Sequence, residues 1–187
     1  MLRDLDVEVL SLQSFPDVAE VEEDGNTFYE NALKKAGVVS LHTREVVLAD
    51  DSGLEVDFLD GKPGIHSARY SGSAATDETN NRKLLKEMEE VPEGKRGAAF
   101  HCVLVLFRPD GCSESFEGSW RGEILFEPRG TLGFGYDPLF LDSVQGLTAA
   151  ELPPEIKNRI SHRGRAFAKF KSWLQQQEAG EKGSRTG

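Results

Sequence analysis

The chain of 187 residues is 38% hydrophobic and 29% charged, the composition of an ordinary soluble globular domain with length enough for a substantial core. Its formal net charge of −10 argues against broad nucleic-acid binding, which needs basic residues to neutralise phosphates. No apolar run approaches the roughly 18 residues that span a bilayer, the N-terminus lacks the basic-then-apolar pattern of a secretory signal, and Cys102 and Cys112 are too few for a disulfide framework.

Neither cysteine belongs to a CxxC pair, so zinc is disfavoured and the setting reads as reducing and cytoplasmic. Met1–Asp6 reads as the last turn of a helix, and Val7 and Val9 alternate with Glu8 and Leu10 as a strand would. Residues 14–25 form an acidic loop. Thr27 followed by Glu30 is a capping-box pattern, which opens a helix with Phe28, Ala32, Ala36 and Val39 as its apolar stripe. Glu30 then has two readings, a capping carboxylate or a ligand pointing into a site.

Val46 to Ala49 reads as a short strand, buried on both faces, that runs into Asp50-Asp51-Ser52-Gly53. One reading places chemistry beyond the strand end, as α/β sites do, since carboxylates buried there need a cation. The other is a polar turn, for which Asp, Ser and Gly are ordinary residues. Leu54–Phe58 continues as strand, residues 60–64 are turn-rich, and residues 67–72 form a loop. Thr76-Asp77 caps a second helix, with Leu84, Leu85 and Met88 inward, that stops near Val91-Pro92.

Ala98–Phe107 is the longest apolar run and predicts a central strand, in which His101 is a satisfied core histidine. Arg108–Gly111 makes a turn and residues 115–125 return as the antiparallel partner. Residues 130–140 form a glycine-rich loop with three aromatics. Glycines admit close approach of a ligand and aromatic faces stack on planar bases, although aromatics also fill cores. Pro154 is placed to start a short helix carrying Lys157. Ser161 caps the last helix, with Phe167, Phe170, Trp173 and Leu174 on its buried stripe. Residues 1–177 make one domain and residues 178–187 a flexible tail. Between Ile156 and Gln177 stand six Lys or Arg and no acid, either a face for a small anion or a solvated basic helix.

Five segments, ENALKKA, LADDSGLEVD, GKPGIHSARYSG, PRGTLGFGYDPLF and EIKNRISHRGRAF, occur in an order and spacing that resembles the inosine triphosphate pyrophosphatase family. The resemblance covers the chain from about Val7 to Leu174. It implies an elongated α/β fold of two lobes with a central mixed β-sheet flanked by helices, an active-site cleft between the lobes, and a homodimer. The implied activity is hydrolysis of non-standard purine nucleoside triphosphates (ITP, dITP, XTP) to the monophosphate and pyrophosphate. The resemblance makes Asp51 the proton acceptor that activates water, Glu30 and Asp51 the Mg2+ ligands, and Asp50 a supporting neighbour. It assigns Ser52, Phe134, Gly135, Tyr136, Asp137, Lys157, His162 and Arg163 to substrate, with the aromatics stacked on the purine. Neither nucleic acid nor membrane is an implied partner. Alternation along a strand sends Asp50 and Asp51 to opposite faces, which favours a single base over a carboxylate dyad.

The family pattern also begins with a strand and a Ser/Thr-x-Asn-x-x-Lys loop that grips the triphosphate, and this chain has no such motif. The coding sequence is accordingly expected to begin upstream of Met1, and a protein beginning at Met1 to bind nucleotide weakly. The alternative function is a catalytically impaired or non-catalytic nucleotide-binding or oligomerising protein. Pro153 stands where a capping Ser or Asp is usual, a loss of about 1 kcal/mol. An aspartyl-phosphate phosphatase needs two aspartates one residue apart, and Asp50 and Asp51 are adjacent. Neither a Walker phosphate loop nor GxGxxG is present.

Overall fold

In the computed structural model, which describes residues 7–184, three long strands form the frame. β1 (Val47–Val56), β2 (Gly97–Phe107) and β3 (Ser113–Ile124) pair in that order, and the short β4 (Phe140–Asp142) and β5 (Leu147–Thr148) extend the sheet. The α/β class is the expected one. The sheet differs from the implied mixed one: among the described residues every strand pairing is antiparallel. Each strand returns alongside its predecessor, and no crossover sets two of them in parallel.

β1 also departs from the sequence reading, because it does not stop at Asp50. Its ladder with β2 runs unbroken from Val47↔Phe107 to Val56↔Ala98, so the Asp50–Gly53 stretch lies inside the strand. The β2–β3 hairpin falls where expected, and β3 alternates exposed and buried residues because one of its faces is packed. Residues 7–11 form no strand, and Val7, Val9 and Leu10 are exposed. Alternation alone does not hold a strand that has no partner to pair with. The helix end expected at Met1–Asp6 lies outside the described residues.

Helix α1 (Phe28–Thr43) begins at the predicted cap, where the Thr27 side chain accepts from Glu30 N. Its stripe of Phe28, Ala32 and Ala36 packs on Val103 and Val105 of β2. The opposite face of β2, with Cys102, Leu104 and Leu106, packs on Ala166, Phe170 and Trp173 of α4 (His162–Ser184). The two-residue period of the strand thus sorts one apolar run into two cores. At the other end of the sheet, Leu54, Val56, Phe100, Trp120 and Phe140 join Leu84 and Met88 of α2 (Asp77–Glu87) and the region around Leu152. This division gives the long strands two lobes, and Asp50–Ser52 sits on β1 where they meet. Helix α3 (Pro154–Ile160) starts at Pro154, and Pro153 supplies no side-chain cap. Helix α4 continues to Ser184, into the segment read as a tail. Among the described residues no helix is long and apolar enough to cross a membrane.

One buried cation ties the second lobe together. The Arg96 guanidinium donates to Met88 O, Val91 O and Ile124 O at 2.7, 3.0 and 2.7 Å and to Leu125 O at 3.1 Å. Those carbonyls close the end of α2 against the end of β3.

Candidate active site

Asp51 is buried within the strand, 7% exposed. It faces α1. Lys35 Nζ lies 3.1 Å from Asp51 Oδ1, and Asn31 Nδ2 donates to Oδ2 at 3.3 Å. Asn31 and Lys35 are one turn apart on α1, so both reach the same strand residue. Lys35 Nζ also donates to Glu23 Oε1 at 2.8 Å, so one ammonium joins two carboxylates. Burial lifts the Asp51 carboxyl above the usual range, and Lys35 pulls against that rise. Burial also works against the charge on Lys35, but the hydrogen bonds to Glu23 and Asp51 outweigh it and hold the ammonium charged.

Asp50 turns to the other face, as the strand period requires. Arg163 Nη2 donates to Asp50 Oδ2 at 2.7 Å, and Ser52 Oγ donates to the same oxygen at 3.1 Å. The Cys102 thiol lies against Ser52 and Arg163, and its burial pushes it up and keeps it protonated. Arg163 reaches this position because α4 starts close against β3. Gly118 permits that approach, since a Cβ there would collide with His162 O.

The glycine-rich loop presents one aromatic and buries another. Phe134 is 64% exposed, with Lys157 Nζ and the Arg163 guanidinium 5.4 and 5.7 Å from its ring centroid. Tyr136 is 4% exposed within the second-lobe core, and its hydroxyl donates to Ser67 O at 2.9 Å. Phe134 is thus the aromatic face of the loop open to solvent, while Tyr136 anchors the loop in the core. Asp137 is buried and accepts from Phe134 N at 2.8 Å and from Lys157. Gly133 makes the turn possible: its φ of +78° is left-handed, and a Cβ would run into the Asp137 carboxylate. From α2, Asp77 accepts from Gly135 N at 2.7 Å and Asn81 Nδ2 donates to Gly135 O at 2.8 Å, gripping both sides of the Gly135 residue.

His162 is buried against Phe100, ring centroids 4.8 Å apart, and its Nδ1 has no hydrogen-bond partner among the described residues. Its pKa is pushed down to about 3, first by burial and then by the charges of Arg163 and Lys157, so the imidazole is neutral at pH 7. His101 is satisfied by Glu55 at 3.2 Å, as expected, but it is half-buried at a surface cavity rather than in the core.

Glu30 lies in the first turn of α1, but its side chain bonds the residue before the cap rather than the cap itself. Its Oε2 accepts from Asn26 N at 2.6 Å while its own N–H goes to Thr27. It lines a surface cavity of about 970 Å³ together with Tyr29, His101, Glu117, Arg165 and Lys169, a different opening from the Asp51 corner. The carboxylate that the structure sets beside Asp51 is Glu23. Among the described residues no three His, Cys, Asp or Glu side chains converge as a metal cluster. Two carboxylates around one cation fit magnesium, which takes one or two carboxylates and completes its shell with water and substrate phosphate.

Glu23, Asn31 and Lys35 are thus site residues that the motifs did not single out. Asn31 and Lys35 lie within the ENALKKA segment and flank the Phe28–Ala32–Ala36 stripe at helical spacing, which points them toward the sheet. Nothing distinguishes Glu23 from its acidic neighbours Glu22 and Asp24.

The model of the Ham1 family matches residues 1–173. A Geobacter sulfurreducens protein called dITP/XTP pyrophosphatase is 60% identical over 166 residues, covering 89% of this chain and 83% of the relative. One of the same name from Desulforamulus reducens is 50% identical over 169 residues, 90% and 84% of the two chains. The solved structure of a HAM1 protein from Coxiella burnetii superposes with a TM-score of 0.88 at 42% identity, covering 94% of this chain and 89% of that one. The Staphylococcus aureus Ham1 protein gives 0.85 at 39% identity, over 91% and 88%. With matches of this extent on both sequence and fold, the chain belongs to the Ham1 family.

Proposed function

We propose that this protein hydrolyses the non-standard purine nucleoside triphosphates dITP, XTP and ITP to the monophosphate and pyrophosphate. The observation that carries the reading is the buried Asp51 carboxylate, fixed by Lys35 and Asn31 on the strand where the two lobes meet. A carboxylate lifted by burial is a stronger base than an exposed one, and one held by two partners is pre-aimed. Asp51 takes the proton of the attacking water. Asp51 and Glu23 are the residues that would hold Mg2+, which when bound neutralises charge on the phosphate oxygens. Glu30 would have to leave the Asn26 N–H to join them.

Phe134 stacks on the purine, and Lys157 and Arg163 beside it supply positive charge toward the nucleotide. Ser52 contacts substrate from the Asp50 face, and Gly135 and Asp137 hold the loop that presents Phe134. Neutral His162 offers one N–H and one lone pair. A donor there favours the 6-keto group of hypoxanthine or xanthine over the amino group of adenine, since a buried donor left unpaired costs about 1–3 kcal/mol. The names of the relatives, 50–60% identical over nine-tenths of the chain, support the same substrate class. The proposed setting is cytoplasmic and the proposed assembly a homodimer, which sedimentation equilibrium checks.

The test is a substrate panel with magnesium, reading pyrophosphate and monophosphate from dITP, XTP and ITP against dATP and dCTP. The expected preference for the first three is on the order of 100-fold or more. Equal turnover of dATP, or release of orthophosphate instead of pyrophosphate, contradicts the reading.

A further inference from the structure

Residues 19–25 have no regular secondary structure, yet this stretch delivers Glu23 to the Asp51 corner. From the α1 side, Gly25 N donates to Asn31 Oδ1 at 2.8 Å, Lys34 pairs with Asp24 at 2.5 Å, and Lys35 pairs with Glu23 at 2.8 Å. From the other side comes Arg69, which ends the 3₁₀ turn Gly64–Arg69. Its Nη2 donates to Glu23 O at 3.0 Å, across 46 residues of sequence, and its Nη1 lies 3.7 Å from Glu23 Oε2.

We infer that Arg69 is a positioning residue for the Asp51 corner, holding Glu23 by main chain and side chain together and so fixing where Lys35 meets Asp51. The inference rests on the reading of Asp51 and Glu23 given above. The Glu23 carboxylate offers one oxygen to Lys35 and the other to Arg69, which fixes its rotamer from two directions. A guanidinium suits this work because its planar fork reaches a carbonyl and a carboxylate at once, whereas a lysine is a single point charge on a flexible stem. Without Arg69, Glu23 regains its rotamer freedom and the loop loses its anchor across the chain. Lys35, shared between two carboxylates, then follows the one that moves. The Arg69 side chain is 43% exposed, so its truncation leaves the cores intact.

The experiment uses the whole chain, with Arg69→Ala, Arg69→Lys, Glu23→Gln and the Arg69→Ala/Glu23→Gln double variant. Hydrogen exchange without nucleotide is expected to quicken over residues 19–26 in Arg69→Ala by about tenfold, with other segments unchanged. Affinity for Mn2+, read by electron paramagnetic resonance without nucleotide, should fall by about tenfold, the usual effect of losing a group that orients a metal ligand. In dITP hydrolysis kcat should fall while KM moves by less than about twofold. Arg69→Lys should recover part of each change, and in kcat and Mn2+ affinity Arg69→Ala should add little to Glu23→Gln, a variant that keeps only the main-chain bond to Arg69. Unchanged exchange over 19–26 overturns the inference whatever the activity does. A rise in KM at constant kcat, additive with Glu23→Gln, overturns it too, since Arg69 would then be touching substrate. If wild type releases no pyrophosphate, the proposed function fails, and the exchange comparison still decides the role of Arg69.

Discussion

Replacing Lys35 with Met keeps the length of the side chain and removes its charge, which isolates what the ammonium does for Asp51 and Glu23. It sits 3.1 Å from Asp51 Oδ1 and 2.8 Å from Glu23 Oε1. At an effective dielectric of about 20, each attraction at such distances is worth roughly 5 kcal/mol before desolvation is subtracted. Removing one partner of a buried pair costs about 3–5 kcal/mol, because the other charge is left uncompensated. Two features reduce that here: the Glu23 side chain is 32% exposed and rehydrates, and Asn31 keeps its bond to Asp51. A loss of about 2–3 kcal/mol follows, roughly 5–10 °C in melting temperature for a chain of this size. The effect depends on pH with a definite sign. Burial already raises the Asp51 pKa, and removing Lys35 raises it further. A carboxyl raised in the folded state adds stability below its unfolded pKa of about 4, and that contribution is lost as pH climbs through the folded value. The Lys35→Met deficit is therefore largest near neutrality and narrows toward pH 4. Thermal melts by circular dichroism between pH 4 and 8 measure it. The double variant with Asp51→Asn should recover part of the loss, since no buried charge is then stranded. A melting temperature within about 1 °C of wild type at pH 7, or strict additivity with Asp51→Asn, would refute the coupling.

Phe134→Ala should raise KM for dITP by about tenfold, the worth of one stacked base, with little change in melting temperature because the ring is exposed. Tyr136→Phe should do the reverse. It loses the bond to Ser67 O, lowering stability by about 1 kcal/mol in urea titration and leaving dITP turnover near wild type. Arg96→Met takes a donor from four carbonyls, of which Met88 O keeps the bond from Val91 N, and should cost about 3–5 kcal/mol; a loss under 1 kcal/mol would mean that water replaces the guanidinium.

Local chemistry made much of the fold legible. Thr27 and Thr76 cap their helices, Pro154 opens α3, and the 98–107 run and its hairpin lie where pattern and turn residues put them. The reach of β1 was not legible, because Asp-Asp-Ser-Gly has turn composition and only the ladder with β2 keeps it extended. In the site, alternation was enough to send Asp50 and Asp51 to different partners. The Thr27–Glu30 spacing could not say whether Glu30 caps or ligates, and Phe134 and Tyr136 are alike in composition but opposite in burial. Contacts made across long sequence separations, such as Arg69 with Glu23 and Arg163 with Asp50, leave no local mark at all.

The central claim is that Asp51 activates water while other residues bind the nucleotide. It is tested most directly by comparing wild type with Asp51→Asn in the same preparation, reading pyrophosphate release from dITP with magnesium alongside dITP affinity by calorimetry. The account predicts that kcat falls by about 100-fold or more, the usual contribution of a general base, while dITP still binds. Turnover within a few-fold of wild type, with affinity unchanged, would contradict it.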